Sequence, residues 1–317
     1  MVSLEIIQSI CTGKIAFSEP LGSVTSFRIG GPADFYIEPM NRDELIALSK
    51  YFRSQNFPFI IIGNGSNILV SDEGYRGAVI NLEKGFSHIE MRNDLVCAGS
   101  GIRMSKFVDY CIMNGLSGTE MLAGIPGTLG GAIVMNAGAY GGEISDYLMD
   151  VTIVRDENIL TLKKQEAGFS YRSSFLQHDI IVEASFKLDK GNMDALMMKR
   201  RELLQKRNTS QPTSFPNAGS IFKNPAGTFA AKLIEESGLK GFSIGDAEVS
   251  AQHANFIINK KSAKAEEVLQ VIKHVRLRVY EQFGILLALE VKPIGFSSEV
   301  LSEIDDKITQ NLRAMKG

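Results

Sequence analysis

The chain contains no tryptophan, and only three of its 317 residues are cysteine and four are histidine. Cys11, Cys97 and Cys111 form no Cys-x-x-Cys pair, and the histidines lack the spacing of metal ligands, so we expect reduced, mostly buried thiols and no metal site. No apolar run approaches the length of a membrane span, and the first residues lack the basic region and apolar core of a secretory signal. We therefore expect a cytoplasmic protein.

An excess of either charge is also missing. The formal net charge is −2, which gives no electrostatic reason to expect nucleic acid or an anionic membrane as a partner. The basic clusters Lys199–Arg201 and Lys260–Lys261 lie on or beside predicted helices with acidic neighbours, as on a solvated face. The length allows two or three domains, and 44% hydrophobic residues are ordinary for a globular protein.

Glycine, by contrast, is concentrated in one stretch. Seven glycines lie between Gly124 and Gly142, at irregular spacing among apolar residues, one proline and one asparagine. Glycine permits positive φ and close approach of the backbone to another group. The run favours a backbone wrapped against a large cofactor or a diphosphate. The alternative is a sharply bent loop that packs a helix on a strand.

A second glycine segment follows Phe59–Ile62, which has the short, β-branched, apolar character of a buried strand. Its turn, Gly63–Asn67, offers consecutive backbone N–H groups and the side chains of Ser66 and Asn67, a plausible nest for a pyrophosphate. The dinucleotide fingerprint is not met, because its third glycine would fall on Ile68, and no P-loop Gly-Lys-Ser/Thr follows. Alone the segment would indicate a plain tight turn; beside the Gly124 run it favours a cofactor.

Helices and strands are predicted in alternation, with a domain boundary in the polar, proline-containing segment Asn208–Asn217. Helices are predicted from Asn41 (with Leu45, Leu48 and Phe52 buried) and over Met104–Met113, Asn192–Arg207, Phe229–Ser237, Ser262–Phe283 and Ser298–Met315. Strands are predicted over Phe59–Ile62, Ala78–Leu82, Val151–Val154, Ile180–Leu188, Ala254–Asn259 and Leu286–Val291.

Arg172 lies between aromatic residues in the segment Tyr171–Phe175, just before a predicted strand. A guanidinium in such a place is suited to clamp a carboxylate through two parallel hydrogen bonds. On this segment alone, a surface arginine stacked on Tyr171 is the simpler interpretation.

Ser220 lies in Asn217–Pro225 and follows a glycine at the start of an apolar stretch. The nucleophile elbow is excluded, since its two glycine positions hold Ala218 and Phe222. No histidine nearby offers a general base, so the hydroxyl fits a proton donor better than an acyl-forming nucleophile. Lys223 and Asn224 would reach an anionic or sugar substrate. A simple Gly-Ser turn is an equally good interpretation of the segment alone.

Glu290 is a lone carboxylate in the apolar stretch Leu286–Val291. It must face solvent, pair with a cation or lie in a functional pocket. Exposure on an edge strand is the common case.

A known family carries the same motifs in the same order. In this chain they extend over almost the whole sequence. The matching segments are Ser26–Ala33, Gly63–Asn67, Gly124–Gly131, Asn136–Gly141, Tyr171–Phe175, Ala218–Pro225 and Leu289–Val291. Together they resemble the UDP-N-acetylenolpyruvoylglucosamine reductase family, flavoenzymes of bacterial peptidoglycan precursor synthesis.

The resemblance implies an α+β fold. A two-lobed FAD-binding domain of the vanillyl-alcohol-oxidase (PCMH) type would occupy residues 1–84 and 85–207, and an α+β substrate-binding domain residues 208–317. It also implies non-covalent FAD, NADPH as reductant and a UDP-sugar substrate, and we expect a monomer or weak homodimer. The expected cofactor-binding residues are Gly63, Asn64, Gly65, Ser66, Asn67, Gly124, Ile125, Pro126, Gly127, Thr128, Gly130, Gly131, Asn136, Ala137 and Gly138. The substrate-binding candidates are Tyr171, Lys223, Asn224, His253 and Arg276.

The family's reaction gives three residues catalytic roles. NADPH reduces the flavin, and flavin N5 then passes hydride to the vinyl methylene carbon of the enolpyruvyl sugar. By analogy Ser220 donates a proton to the enolate that results, while Arg172 and Glu290 polarise the carboxylate. Glu290 helps only if it is protonated or hydrogen-bonded to the substrate, which a low-dielectric pocket favours.

One form of the family inserts a loop carrying a tyrosine after the Tyr-Arg-x-Ser-x-Phe motif. Here Phe175–Ile180 leads almost directly into the next predicted strand, so the chain resembles the form without that loop. His253, in Gln252–Phe256, is similar to a feature of that shorter form.

Two other functions remain open from the sequence. An FAD-dependent sugar or alcohol oxidase would share the glycine segments and use oxygen, but would not need Ser220 with Glu290. A flavin-binding sensor or scaffold would bind flavin that NADPH does not reduce; Arg172 and the Ser220–Asn224 cluster argue against it.

Overall fold

A computed structural model describes residues 2–302. The helices are α1 (Leu4–Ile10), α2 (Arg42–Ser54), α3 (Met104–Met113), α4 (Leu129–Val134), α5 (Met193–Ser210), α6 (Ala230–Glu236) and α7 (Ala265–Phe283). The first strands are β1 (Ile15–Pro20), β2 (Pro32–Ile37), β3 (Phe59–Ile62), β4 (Ile68–Val70), β5 (Tyr75–Asn81), β6 (Ile89–Arg92), β7 (Leu95–Gly99), β8 (Leu116–Ser117), β9 (Gly138–Ala139) and β10 (Gly142–Glu143). The others are β11 (Leu148–Arg155), β12 (Asn158–Lys163), β13 (Ile180–Phe186), β14 (Asp189–Lys190), β15 (Asn217–Ser220), β16 (Ser243–Ile244), β17 (Ala247–Val249), β18 (Phe256–Asn259) and β19 (Lys292–Ile294).

The chain divides into two compact units, each made of three segments. Unit 1 contains Met1–Ser18, Asp34–Asn64 and Gly77–Thr209; unit 2 contains Glu19–Ala33, Gly65–Arg76 and Ser210–Gly317. The predicted domain limits at 84/85 and 207/208 stay predictions. Within residues 2–302 no helix is long and apolar enough to cross a membrane, and no cluster of His, Cys, Asp and Glu could hold a metal.

Unit 1 has two hydrophobic cores. The first lies around α2, where Leu45, Leu48 and Phe52 are fully buried as predicted, and around the parallel pair of β3 and β5. The second fills the space between α3, α4 and a five-stranded sheet of order β12-β11-β13-β7-β6. This sheet is antiparallel; β6–β7 and β11–β12 are joined by short turns, and the glycine run lies in the long connection between β7 and β11.

Unit 2 is built around α7, whose apolar face packs on a four-stranded sheet of order β15-β18-β17-β16. The helix starts where both carboxylate oxygens of Asp72 accept hydrogen bonds from the N–H groups of Ala265 and Glu266 (2.9 and 3.1 Å). It ends at Gly284, which has a φ of +68°. Strand β4 pairs in parallel with β19, so Ile68 lies beside Lys292.

Most predicted helices and strands are confirmed to within a few residues, and all three cysteines are buried thiols. The strand predicted over Leu286–Val291 is wrong. Only Leu289 forms a bridge there, to Phe222, and regular pairing starts at Lys292. The segment is apolar, but its backbone bonds residues 221–223 at only a few points, so no continuous ladder forms there. The helix predicted from Ser298 is seen through residue 302, and its remainder to Met315 lies outside the described residues.

One ion-pair cluster on the five-stranded sheet predicts a pH effect on stability. Arg92 donates two hydrogen bonds to Glu183 (2.7 and 2.9 Å), and His88 Nε2 lies 2.7 Å from the same carboxylate. Burial raises the pKa of Glu183, but the hydrogen bonds from Arg92 and His88 outweigh it, so the pKa lies below its ordinary value of 4.5. The cluster should therefore stabilise the fold above that value and lose its effect as pH falls through the lowered pKa.

We expect Glu183→Gln to lower the free energy of unfolding at neutral pH by about 1 kcal/mol or less, since the cluster is partly exposed. In urea titrations the difference in free energy of unfolding between the wild type and the variant should decrease at acid pH. A difference that stayed constant, or increased on acidification, would contradict a stabilising role of the ionised Glu183.

Candidate active site

The start of the Gly63–Asn67 turn lies beside the second glycine segment within unit 1. The turn begins at Gly63, directly after β3, and a Cβ on Gly63 would lie only 2.7 Å from Thr128 Cγ2. Thr128 is the N-terminal capping residue of α4 and is 4% exposed. Glycine at 63 therefore lets the end of β3 approach the start of α4, and the two predicted parts of the cofactor site share one location.

Gly131 is the glycine that packing does not explain. It lies in α4 with an ordinary helical φ, it is exposed, and a Cβ there would meet only Thr128 Oγ1, at 3.7 Å. A glycine inside a helix costs about 1 kcal/mol relative to alanine. By contrast, Gly130 packs on Ser100 and Gly124 on Arg207, as the loop-packing alternative expected. Gly131 is thus the residue that indicates close approach of a ligand.

The Gly63–Asn67 turn has donors available. Neither the N–H of Asn64 nor that of Gly65 donates a hydrogen bond to another of residues 2–302. Gly65 has a φ of +57°, and a Cβ there would lie 2.8 Å from Val24 O. The sequence analysis expected the Asn67 side chain to donate to a pyrophosphate. In the structure its side-chain amide donates to the backbone oxygen of Glu290 (3.2 Å). The backbone of the turn, more than the Asn67 side chain, is suited to an anion.

Ser100 is a residue that sequence reasoning missed. It is 3% exposed, and its Oγ has no hydrogen-bond partner among the described residues. Its backbone oxygen accepts from Gly130 N (2.8 Å), which places the hydroxyl beside the glycine run. A buried hydroxyl without a partner is costly. It fits a ligand atom held at this place; the small motif Gly99–Gly101 was the available signal.

Asn136 organises the second half of the glycine run. Its side chain is buried, donates to Glu143 Oε2 (2.6 Å) and Ser170 O (3.1 Å), and accepts from Ser145 N (3.3 Å). Both side-chain N–H groups and one acceptor site of the side-chain oxygen are thus used inside the protein. The backbone N–H also donates, to Ile133 O, and φ is +43° at this residue.

Arg172 is held by the same loop. Its Nη2 donates to Gly138 O (2.8 Å), Nη1 lies 3.9 Å from Glu143 Oε1, and the guanidinium stacks on the Tyr171 ring at 5.0 Å from the centroid. Its φ of +52° is uncommon for a side chain of this size. Such strain persists where the surroundings impose it, often at functional sites. Stacking on Tyr171, the simpler interpretation, is confirmed, and it accompanies an anchored guanidinium.

The remaining predicted cofactor residues lie in the connection to α4 and in the turn after it. Ile125 N donates to Leu122 O, Gly127 O accepts from Met104 N, and Ala137 is bonded at both its N–H and C=O. Pro126 lies between Ile125 and Gly127, where a φ of +113° at Gly127 turns the chain into α4. These residues shape the loop.

Arg207 is a basic residue beside the glycine run that the sequence analysis did not single out. It lies near the end of α5 against Gly124, and burial lowers the pKa of its guanidinium. The exposed Tyr140 donates to Leu203 O (3.1 Å) on the same helix. The sequence of α5 indicates only a charged helix end. It could not predict the burial of Arg207, because Gly124, against which Arg207 packs, is 83 residues away in the sequence.

In unit 2, Ser220 and Glu290 lie on adjacent segments. Glu290 N donates to Ile221 O (2.8 Å), and Lys223 N donates to Ala288 O (2.8 Å). The segment after Ser220 therefore runs beside the one that ends at Glu290. The structure brings this predicted pair of catalytic residues together although 70 residues separate them in the sequence.

The predicted substrate-binding residues of unit 2 differ in what their side chains contact and in how deeply they are buried. Asn224 Oδ1 accepts from Ala230 N (3.0 Å) at the start of α6, so its amide has a structural use. Arg276 is 4% exposed on α7, among the residues of the core. His253 packs edge-on against Phe256, with ring centroids 4.8 Å apart.

Lys223 has a basic neighbour that was not predicted. Lys292 is exposed, and partial desolvation together with the charge of Lys223 lowers its pKa. Two cations that repel each other in this way attract an anion.

Comparison with known proteins decides the family. Residues 33–160 match the model of an FAD binding domain, and residues 211–294 match the C-terminal domain of UDP-N-acetylenolpyruvoylglucosamine reductase. The reductase of that name from Caldanaerobacter subterraneus subsp. tengcongensis is 45% identical, covering 89% of this chain and 94% of its own length. The chain belongs to the UDP-N-acetylenolpyruvoylglucosamine reductase family.

Other members of this reductase family agree. The Clostridium tetani reductase is 43% identical, covering 92% of this chain and 95% of its own length. The crystal structure of the Thermus caldophilus enzyme superposes with a TM-score of 0.77 at 35% identity, covering 89% of this chain and 98% of that one. The resemblance, the α+β fold with its FAD-binding domain and the prediction of an FAD-containing oxidoreductase are confirmed. The oxidase alternative is not supported.

The structure also agrees with the form of the reductase family that lacks the tyrosine loop. Phe175–His178 forms one short 3-10 turn, and β13 starts at Ile180. The ring of Phe175 is 77% exposed, so this turn carries an aromatic side chain at its surface.

Proposed function

We propose that this protein uses NADPH to reduce the enolpyruvyl group of UDP-N-acetylglucosamine enolpyruvate to UDP-N-acetylmuramate, a step in the synthesis of the peptidoglycan precursor. The observation that carries the proposal is the hydrogen-bonded alignment of the Ser220 and Glu290 segments in a chain of this family. A serine on a segment that runs beside the segment of a carboxyl residue suits proton donation to a carbanion. A flavin-binding sensor would have no use for that pair.

FAD is assigned to the Gly63–Asn67 turn and to the glycine run from Gly124 to Gly138. The exposed Gly131 and the orphaned hydroxyl of Ser100 are the structural features that fit such a group. We assign the FAD-binding lobes to residues 1–84 and 85–207, and substrate binding to residues 208–317. Bound FAD would accept hydride from NADPH and deliver it to the vinyl carbon of the substrate.

The protein's part in the reaction is to hold the substrate and to manage charge and protons. Arg172 binds the carboxylate, and its anchored guanidinium needs little reorganisation to do so. Glu290 hydrogen-bonds to the same end of the substrate. Ser220 Oγ donates a proton to the carbon next to the carboxylate. Serine is a weak acid, but an enolate is a strong base, so position matters more than acidity.

We assign binding of the substrate's diphosphate to basic side chains of unit 2. Lys223 is assigned to it, and we add Lys292, an exposed lysine two residues beyond Glu290, as a second cation. Tyr171, Asn224, His253 and Arg276 remain candidates for the sugar and uridine.

The cellular setting follows from the reaction. A precursor of the cell wall is made in the cytoplasm, so we assign the protein to that compartment and to cell-shape maintenance and division. We propose a monomer or weak homodimer; light scattering behind size-exclusion chromatography measures this directly.

A coupled assay tests the activity. We expect sustained NADPH oxidation, beyond one equivalent per enzyme, only when the enolpyruvyl UDP-sugar is present, with one product formed per NADPH and a mass two hydrogens above the substrate. NADPH oxidation that follows oxygen, without a reduced sugar product, would contradict the proposal and favour an oxidase.

Glu290→Gln separates the two ways in which Glu290 can act. The amide keeps the size and the donor of a protonated carboxyl, so the variant should retain more activity than Glu290→Ala, which should lose about 100-fold or more. Steady-state rates of the two variants at saturating sugar give the comparison. Equal losses would show that the ionised carboxylate is required.

A further inference from the structure

The segment that carries Ser220 is held by an asparagine side chain in place of a continuous strand. Strand β15 pairs with β18 at Asn217 and Ser220, opposite Ile258 and Phe256, with a register shift between the two pairs. Beyond Ser220 the regular pairing of β15 with β18 stops. Asn255, just before β18, adds one more backbone bond, because its backbone oxygen accepts from Ile221 N (2.9 Å).

The Asn255 side chain then bonds both polar groups of Phe222. Its Oδ1 accepts from Phe222 N (3.0 Å), and its Nδ2 donates to Phe222 O (2.8 Å). Asn255 is 4% exposed and Phe222 is 1% exposed, so both bonds are shielded from water. Broken bonds of this kind leave buried groups unsatisfied.

On its other edge, the same segment supports Glu290. Ile221 O accepts from Glu290 N, and Lys223 N donates to Ala288 O, both at 2.8 Å. Residues 220–223 therefore form a narrow link between Asn255 and Glu290. A shift of residues 220–223 would change where Ser220 lies relative to the Glu290 segment.

We propose that Asn255 is a positioning residue for proton transfer: by clamping Phe222 it sets the place of Ser220 relative to Glu290. The inference rests on the proposed function of Ser220 as proton donor. It assigns Asn255 no contact with substrate or cofactor. A displacement of about 1 Å in a reacting group can cost about 100-fold in rate, so a buried clamp one residue beyond Ile221 has leverage on catalysis.

Asn255→Asp is the test variant. The side chain keeps its size and still accepts from Phe222 N, but an ionised carboxylate faces Phe222 O with no hydrogen to donate. We expect reduction of the flavin by NADPH at the wild-type rate. Re-oxidation by saturating enolpyruvyl UDP-sugar should be about 10- to 100-fold slower. If this variant yields too little folded protein, Asn255→Ser, which is small and uncharged, is measured in the same way.

Asn259→Asp is the matched control. Asn259 ends the same strand, is 2% exposed, and its amide also bonds one N–H and one C=O, those of Ala263 and Phe27. It should lower the melting temperature comparably but leave re-oxidation unchanged. Equal slowing by both aspartates would reduce the role of Asn255 to general stability and overturn the inference.

A double variant separates this inference from the proposed function. If Asn255 acts through Ser220, Asn255→Asp should add little to the loss already caused by Ser220→Ala. Additive losses would overturn the inference. Normal re-oxidation by Asn255→Asp with slow re-oxidation by Ser220→Ala would also overturn it while leaving the proton-donor role intact. Normal re-oxidation by Ser220→Ala alone would refute that role.

Discussion

Ser220→Ala is expected to retain flavin reduction by NADPH and to slow re-oxidation of the flavin by the enolpyruvyl UDP-sugar by about 100- to 10,000-fold, the usual cost of removing a positioned acid. The substitution removes the hydroxyl and nothing else that the structure shows to be needed. Ser220 is half-buried at the end of β15, and its backbone pairing with Phe256 does not depend on the side chain. Anaerobic stopped-flow absorbance measures the two half-reactions separately.

Ser220→Cys gives a useful comparison with the alanine variant. A thiol keeps a donor at nearly the same place, so it should recover part of the lost rate. Wild-type re-oxidation by Ser220→Ala would remove Ser220 from the role of proton donor. A loss of NADPH reduction in the same variant would point to a damaged cofactor site.

Gly131→Leu is expected to weaken FAD binding while leaving the protein folded. The added side chain has room within the protein, since only Thr128 Oγ1 lies near the Cβ position. Removing a glycine from the exposed face of α4 should stabilise the apoprotein by up to about 1 kcal/mol. If FAD lies against this face, overlap should cost about 1–3 kcal/mol of binding, which is a rise in Kd of about 5- to 150-fold. Titration of the apoprotein with FAD gives the affinity.

Ala195→Leu is the control for added bulk. Ala195 is exposed on α5, a helix of the same unit, and this variant should bind FAD like the wild type. Wild-type affinity in Gly131→Leu would disprove the placement of FAD against α4. Gly65→Val is a poorer test, because its Cβ would strike the backbone of Val24 and Thr25 and strain the protein itself.

Local signals in the sequence were sufficient for much of the fold. Asn41 caps α2 by accepting from Glu44 N (3.0 Å), and Gly284 ends α7 in a left-handed conformation, both as the residue types indicate. Strands β1, β6 and β12 were not predicted. Their residues are mostly exposed or partly buried, so the alternation that marks a strand is weak.

Site residues could be predicted where a local sequence motif marks them, and not where only a tertiary contact brings them into the site. The glycine segments and the motif around Arg172 are such local motifs. Asn67 and Asn136 were placed among cofactor residues by their motifs, yet their amides bond Glu290 O and Glu143. Asn255 gave no signal, because its importance comes from Phe222, 33 residues earlier in the sequence.

The most direct test of the account is an anaerobic visible spectrum of the purified protein, taken before and after NADPH and again after the enolpyruvyl UDP-sugar. The account predicts a flavin absorbance that NADPH bleaches and the sugar restores, without oxygen. A bleached flavin that recovers only when oxygen is admitted, a flavin that NADPH does not bleach, or a protein that binds no flavin would each contradict it.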